Sequence, residues 1–158
     1  MQGLIDAVLA VLLILKTIVT NKIFYITFFS WFFAQTLKVI FYFAKHRRFD
    51  FRLFVGTGGM PSSHTAAVTA GTVSVGMTLG WDSPVFMVSL LFCIVVISDA
   101  MGVRRAAGKQ AVILNKMMDE MWDSEFKYEK RLKEWLGHTP LEALAGIVIG
   151  ILLPVIMF

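Results

Sequence analysis

The sequence predicts an all-α protein: a polytopic membrane helix bundle of about five transmembrane helices, with a helical polar segment on one face. Three observations carry that prediction. Of 158 residues, 57% are hydrophobic and only 16% charged, with a mean hydropathy of +0.71. Ordinary soluble domains hold about 45–50% apolar and about 25% charged residues. The apolar residues also come in blocks near the roughly 20 residues that a hydrocarbon core requires. The basic residues cluster, since every Lys and Arg except Lys16, Lys22 and Lys38 falls within 45–59 or 101–139. These features exclude a water-soluble domain, and no nucleic-acid partner is expected.

The elements follow in order. Residues 4–20 form a first apolar block with Asp6 and Lys16 near its ends, where both can snorkel to the interfaces. Residues 23–44 form a second, broken only by Gln35 and Lys38. The third follows Pro61, a residue suited to a first helical turn, and runs to about 81. Its glycines and alanines suit close helix packing in a membrane. "WDSP" is a turn, with Asp82 or Ser83 as cap and Pro84 as the first helical residue. The fourth span follows and ends near Asp99, and residues 141–158 make the fifth. The whole chain reads as one membrane domain, with 1–22 as an extra N-terminal helix and 101–139 as a polar helical insertion. Within that insertion, the stretch 124–136 reads as a solvated amphipathic helix beside the membrane. The lone Cys93 has no partner for an internal disulfide. The N-terminus lacks a basic n-region and a small-x-small cleavage site, so no cleaved signal peptide is expected.

Threading these spans puts both polar stretches on one side of the membrane, and the positive-inside rule places that side in the cytoplasm. It also gathers there the Ser62-Ser63-His64 triplet, the "GVRRAAGKQ" stretch and "GHTPLEALAG". Ionisable groups at a membrane are costly, so each is a candidate for function. His138 and Glu142 are four residues apart at a helix start, so the carboxylate can hold one imidazole nitrogen. Ser62, Ser63 and the amides after Gly58-Gly59 lie at a helix N-terminus, which favours anions. Arginine forks neutralise phosphoryl oxygens. One histidine can attack phosphorus while a second protonates the leaving alcohol. The constellation suits the handling of phosphate.

"GGMPSSHTAA", "AQTLK", "DAMGVRRAAGKQA" and "LGHTPLEALAG" together resemble the divergent branch of the type 2 phosphatidic acid phosphatase superfamily, also described as acid phosphatase/vanadium-dependent haloperoxidase-related. The resemblance runs from about residue 31 onward and leaves the first span outside. It implies an α-helical membrane phosphatase that acts on a phosphorylated membrane lipid through a phosphohistidine, with neither metal nor cofactor. Residue by residue, it makes His138 the nucleophile, His64 the general acid and Glu142, where the family usually has aspartate, the partner of His138. Ser62, Ser63, Lys38, Arg47, Arg48, Arg104 and Arg105 become candidates for holding the phosphate.

Two assignments stay open. The family's first motif has a formal match in Lys45 and Arg52, but Leu53 stands where a proline belongs, and Lys38 in its "AQ-x-x-K" context is the rival. The arginine of the third motif normally lies a few residues before the nucleophile. Arg104 and Arg105 lie more than thirty residues upstream of His138, so folding alone can bring one to the phosphate; adjacent residues point about 100° apart on a helix, so only one of the two faces the site, and Arg105 is favoured. The split motif also keeps two other classes in view: a non-catalytic phosphate- or vanadate-type anion binder, and a transporter or flippase of a phosphorylated lipid.

Overall fold

The computed structural model describes residues 1–47, 59–121, 132 and 137–158. Among the described residues six α-helices follow one another: α1 (Gln2–Thr20), α2 (Lys22–His46), α3 (Ser63–Leu79), α4 (Pro84–Met101), α5 (Val103–Met121) and α6 (Pro140–Met157). No strand occurs among the described residues. Among the described residues four stretches are long and apolar enough to cross a membrane: α1, α2, the α4–α5 run and α6. The protein is an all-α membrane bundle. Arg48, Arg52 and the second half of the polar segment, including 124–131 and 133–136, lie outside the described residues.

At 17 residues, α3 is shorter than those four, and it sits at the centre, packed against α2, α4 and α6. Its composition explains how it can sit there. Ser63, Thr65, Ala66, Thr69, Ala70, Thr72, Ser74 and Gly76 are all buried, and none carries a long side chain. Helices in lipid gain little from hiding apolar surface, because the tails are as apolar as leucine; close packing of small residues drives their association. The α3–α6 contact shows this directly. A Cβ on Gly146 would lie 2.6 Å from the Ser62 carbonyl oxygen, and one on Gly150 would lie 2.7 Å from that of Ala66. From the other side, α2 offers the stripe Ile26, Ser30, Ala34 and Lys38, spaced four apart and all buried. The large apolar side chains of α2, α4 and α6 point outward, as a lipid-facing surface requires.

Helix starts follow their local chemistry. The Ser83 hydroxyl accepts from the Phe86 amide at 3.1 Å with Pro84 at the first helical position, as the "WDSP" reading expects. The third helix follows Pro61, as expected. Ser62 is the N-cap, its hydroxyl accepting from the Thr65 amide at 3.3 Å, so Pro61 lies just before the helix and not in its first turn. Between α4 and α5 the helical path breaks at Gly102, whose φ of −97° and ψ of −87° belong to neither helix. α5 then buries Gly108, Ala111 and Asn115 on one face and leaves Val103, Ile113, Leu114 and Met117 exposed.

Candidate active site

The site lies where the starts of α3 and α6 meet the junction of α4 and α5. Three contacts bring these chain segments together. The Ser62 amide donates to the Glu142 carbonyl at 3.1 Å, tying the start of α3 to the first turn of α6. The His138 amide donates to the Ala100 carbonyl at 2.9 Å, tying the turn before α6 to the last turn of α4. Gly137, at φ +84°, lets its backbone pack directly onto that of Arg104 and Arg105. A small cleft of about 30 Å³ results, lined by His64, Val96, Ala100, Arg104, Gly137 and His138.

His138 is buried at 4% exposure, and its Nδ1 lies 3.2 Å from Glu142 Oε2. A carboxylate can only accept, so Nδ1 carries the proton and Nε2 keeps its lone pair. The same Oε2 accepts from the Thr139 amide at 3.0 Å, while the Thr139 hydroxyl accepts from the Glu142 amide at 3.3 Å. Thr139 and Glu142 therefore form a capping box, a pattern that calls for the longer Glu or Gln at its third helical position. This accounts for glutamate where the resemblance leads one to expect aspartate: one oxygen serves both the helix start and the histidine. Burial holds the His138 imidazole below its ordinary pKa; the hydrogen bond and charge of Glu142 oppose that effect, and Lys38 and Arg104 add to it. A neutral imidazole is the form with a free lone pair.

His64 occupies the first turn of α3, exposed on the cleft side, with Lys38, Arg104 and His138 as its electrostatic neighbours. Lys38 is 3% exposed; its Nζ donates to Gln35 Oε1 at 2.9 Å and lies 3.5 Å from the Ser63 hydroxyl. The backbone of Gly59, at φ +87°, runs over the Lys38 stem. Lys38 thus belongs to the same cluster as both histidines, whereas nothing is described of the side chain of Lys45.

Known proteins match the chain over most of its length. The model of a family described as "Divergent PAP2 family" matches residues 19–153. The chain belongs to the divergent PAP2 family. The matched stretch leaves almost all of α1 outside. An uncharacterized membrane protein, YuiD of Bacillus subtilis strain 168, is 43% identical over 136 residues, covering 79% of this chain and 86% of that protein. No solved structure matches the chain.

In this divergent PAP2 protein, His64, His138 and Arg104 line one cleft, with Glu142 and Lys38 joined to it through their partners. Ser62 is occupied as the α3 cap, and Ser63 faces Lys38. Arg47 caps α2 in a left-handed conformation at φ 53°, exposed, and does not line the cleft. The preference for Arg105 is corrected: Arg104 lines the cleft, while the backbone of Arg105 lies under Gly137. A helix turns about 100° per residue, so the sequence sets the two arginines on different faces but does not say which face meets the cleft. One feature escaped the sequence reading: the Ala100 carbonyl as anchor for His138 leaves no local signal. Asp99 pairs with Arg104, Oδ2 to Nε at 2.7 Å.

Proposed function

We propose that this divergent PAP2 protein is an integral-membrane lipid-phosphate phosphatase working through a phosphohistidine. The observation that carries the reading is the pairing of two histidines across one cleft, one of them held through Nδ1 by Glu142. In the first step the Nε2 lone pair of His138 attacks phosphorus, the bond from phosphorus to the lipid oxygen breaks, and protonated His64 gives its proton to the departing alkoxide. In the second, water attacks the phosphohistidine, neutral His64 takes a proton from it, and the nitrogen–phosphorus bond breaks to restore His138 and release phosphate. Arg104, Lys38 and the first-turn amides of α3 stabilise the equatorial oxygens in both steps. The substrate is a phosphorylated lipid of the bilayer, a phosphomonoester or pyrophosphate headgroup. The active-site face is cytoplasmic, a reading supported by the concentration of Lys and Arg on that side.

The test is a phosphate-release screen of the purified protein against phosphatidic acid, phosphatidylglycerol phosphate and isoprenoid phosphates. His138→Ala abolishes release and any labelled phosphoenzyme. His64→Ala slows lipid substrates more than an activated aryl phosphate, whose leaving group needs no proton. Absence of release from all three lipids, with headgroup binding retained in His138→Ala, rejects the enzyme in favour of an anion binder or transporter.

A further inference from the structure

We propose that Asp99 is a positioning residue: it fixes the Arg104 guanidinium as the phosphate fork, standing in for the arginine that the split motif has moved away from the nucleophile. This inference rests on the phosphatase reading of the cleft and adds to it the residue through which the displaced arginine is aimed. Asp99 lies in the last turn of α4 and Arg104 in the first turn of α5, on opposite sides of the break at Gly102. Their ion pair spans that break with Nε to Oδ2 at 2.7 Å, a charge-assisted length. Using Nε for the carboxylate leaves the two Nη groups as the end-on fork, the geometry that suits two phosphoryl oxygens. The next residue, Ala100, accepts the backbone hydrogen bond of His138 at 2.9 Å. One turn of α4 therefore registers the nucleophile through Ala100 and the cation through Asp99.

Stability does not account for the pair. Its side chains are 49% and 38% exposed, and ion pairs at such sites contribute little to folding. Simple electrostatics makes an opposite prediction from positioning. A carboxylate beside an anion site repels the anion, so Asp99→Asn should tighten phosphate binding if charge were all that mattered. If Asp99 aims the fork, its removal weakens binding in spite of the gain in positive charge. Lysine cannot replace Arg104, because one ammonium cannot serve the carboxylate and two phosphoryl oxygens in a fixed plane.

The experiment uses the full chain purified in detergent, with orthovanadate as probe and phosphate release from the lipid the wild type hydrolyses as second readout. Orthovanadate affinity is read from protection against thermal unfolding in wild type, Asp99→Asn, Asp99→Glu, Arg104→Lys and the Asp99→Asn/Arg104→Lys double variant. Asp99→Asn weakens orthovanadate binding and lowers kcat/KM by about 10- to 100-fold, the scale of one lost hydrogen bond to a charged group. Asp99→Glu recovers part of the loss. In the Arg104→Lys background the Asp99 substitution has little further effect, since the two act as one unit. Unchanged or tighter orthovanadate binding in Asp99→Asn, or an equal loss in both backgrounds, overturns the inference and leaves the phosphatase reading intact. A wild type that neither binds orthovanadate nor releases phosphate overturns both.

Discussion

The two halves of the cleft are built by different physics. The His64 half rests on the interior of the bundle, where α3 meets α2 and α6 through small residues in close contact. The Arg104 half stands at the edge, where the Asp99–Arg104 ion pair spans the α4–α5 junction and that junction meets the turn before α6 through the His138–Ala100 backbone hydrogen bond and the bare backbone of Gly137. The first half is over-determined, since many contacts specify the same geometry. The second is set by few groups, each of which controls the position of a residue that the proposed chemistry needs. Damage to the first should unfold the protein. Damage to the second should leave it folded and inactive.

The largest expected effect tests the first half. Gly146→Leu places a branched side chain where even a Cβ would lie 2.6 Å from the Ser62 carbonyl oxygen and 2.9 Å from Thr65 Cβ. With α3 and α6 forced apart, the Ser62–Glu142 backbone bond is lost as well. No folded monomer should survive detergent extraction and size-exclusion chromatography. Gly146→Ala is the graded version, with overpacking of about 1–3 kcal/mol read as a lowered melting temperature. A Gly146→Leu variant that elutes and melts like the wild type would mean that α3–α6 packing does not hold the site.

Gly137→Ala tests the second half. Its φ of +84° is strained for alanine, and the added Cβ collides with the backbone of Arg105. The turn must move, and His138 moves with it, while every α3 contact is untouched. The expected result is a folded protein whose turnover falls by on the order of 10²-fold, the penalty of about an ångström of misplacement in a reacting group. Circular dichroism and the melting temperature should stay close to wild type while phosphate release falls. Equal loss of fold and activity would erase the proposed difference between the halves.

The same contrast sets what could be read from sequence. Helices in lipid declare themselves by apolar length, so α1, α2, α4 and α6 were legible, and "WDSP" showed its cap and first helical residue directly. His64, His138 and Glu142 were legible because a helix start and an i,i+4 spacing are local patterns. That α3 follows Pro61 was legible; that Ser62 is its cap and Pro61 lies outside the first turn was not, because proline suits either position. The choice between Arg104 and Arg105 was not legible, because adjacent helical residues point about 100° apart and only the packing of the α4–α5 junction against the turn before α6 says which one faces the cleft. That Asp99 pairs with Arg104 and Ala100 with His138 depends on where a segment more than thirty residues downstream returns, which is tertiary information. That the Glu142 carboxylate holds His138 was legible from the i,i+4 spacing; that the same oxygen also closes a capping box with Thr139 went unread, although the Thr-x-x-Glu pattern was present.

The smallest expected effect is a displaced pH profile, and it sharpens the comparison by reading His138 from both halves at once. The proposed nucleophile must be neutral, so kcat/KM falls on the acid side as His138 gains a proton. Burial lowers its pKa, Lys38 and Arg104 lower it further, and Glu142 alone raises it. The wild-type acid limb should therefore lie below the ordinary histidine value of about 6.5. Glu142→Gln removes the one influence that raises the pKa, so its limb should move further to the acid side; the amide oxygen can still accept from Nδ1. Stability must follow the same sign. The unfolded chain takes the proton at a higher pH than buried His138 does, so the wild-type melting temperature should drop as pH falls through the ordinary histidine range. A Glu142→Gln limb displaced towards neutral pH would show that the carboxylate does not act on His138 as a charge and would leave it only its part in starting α6.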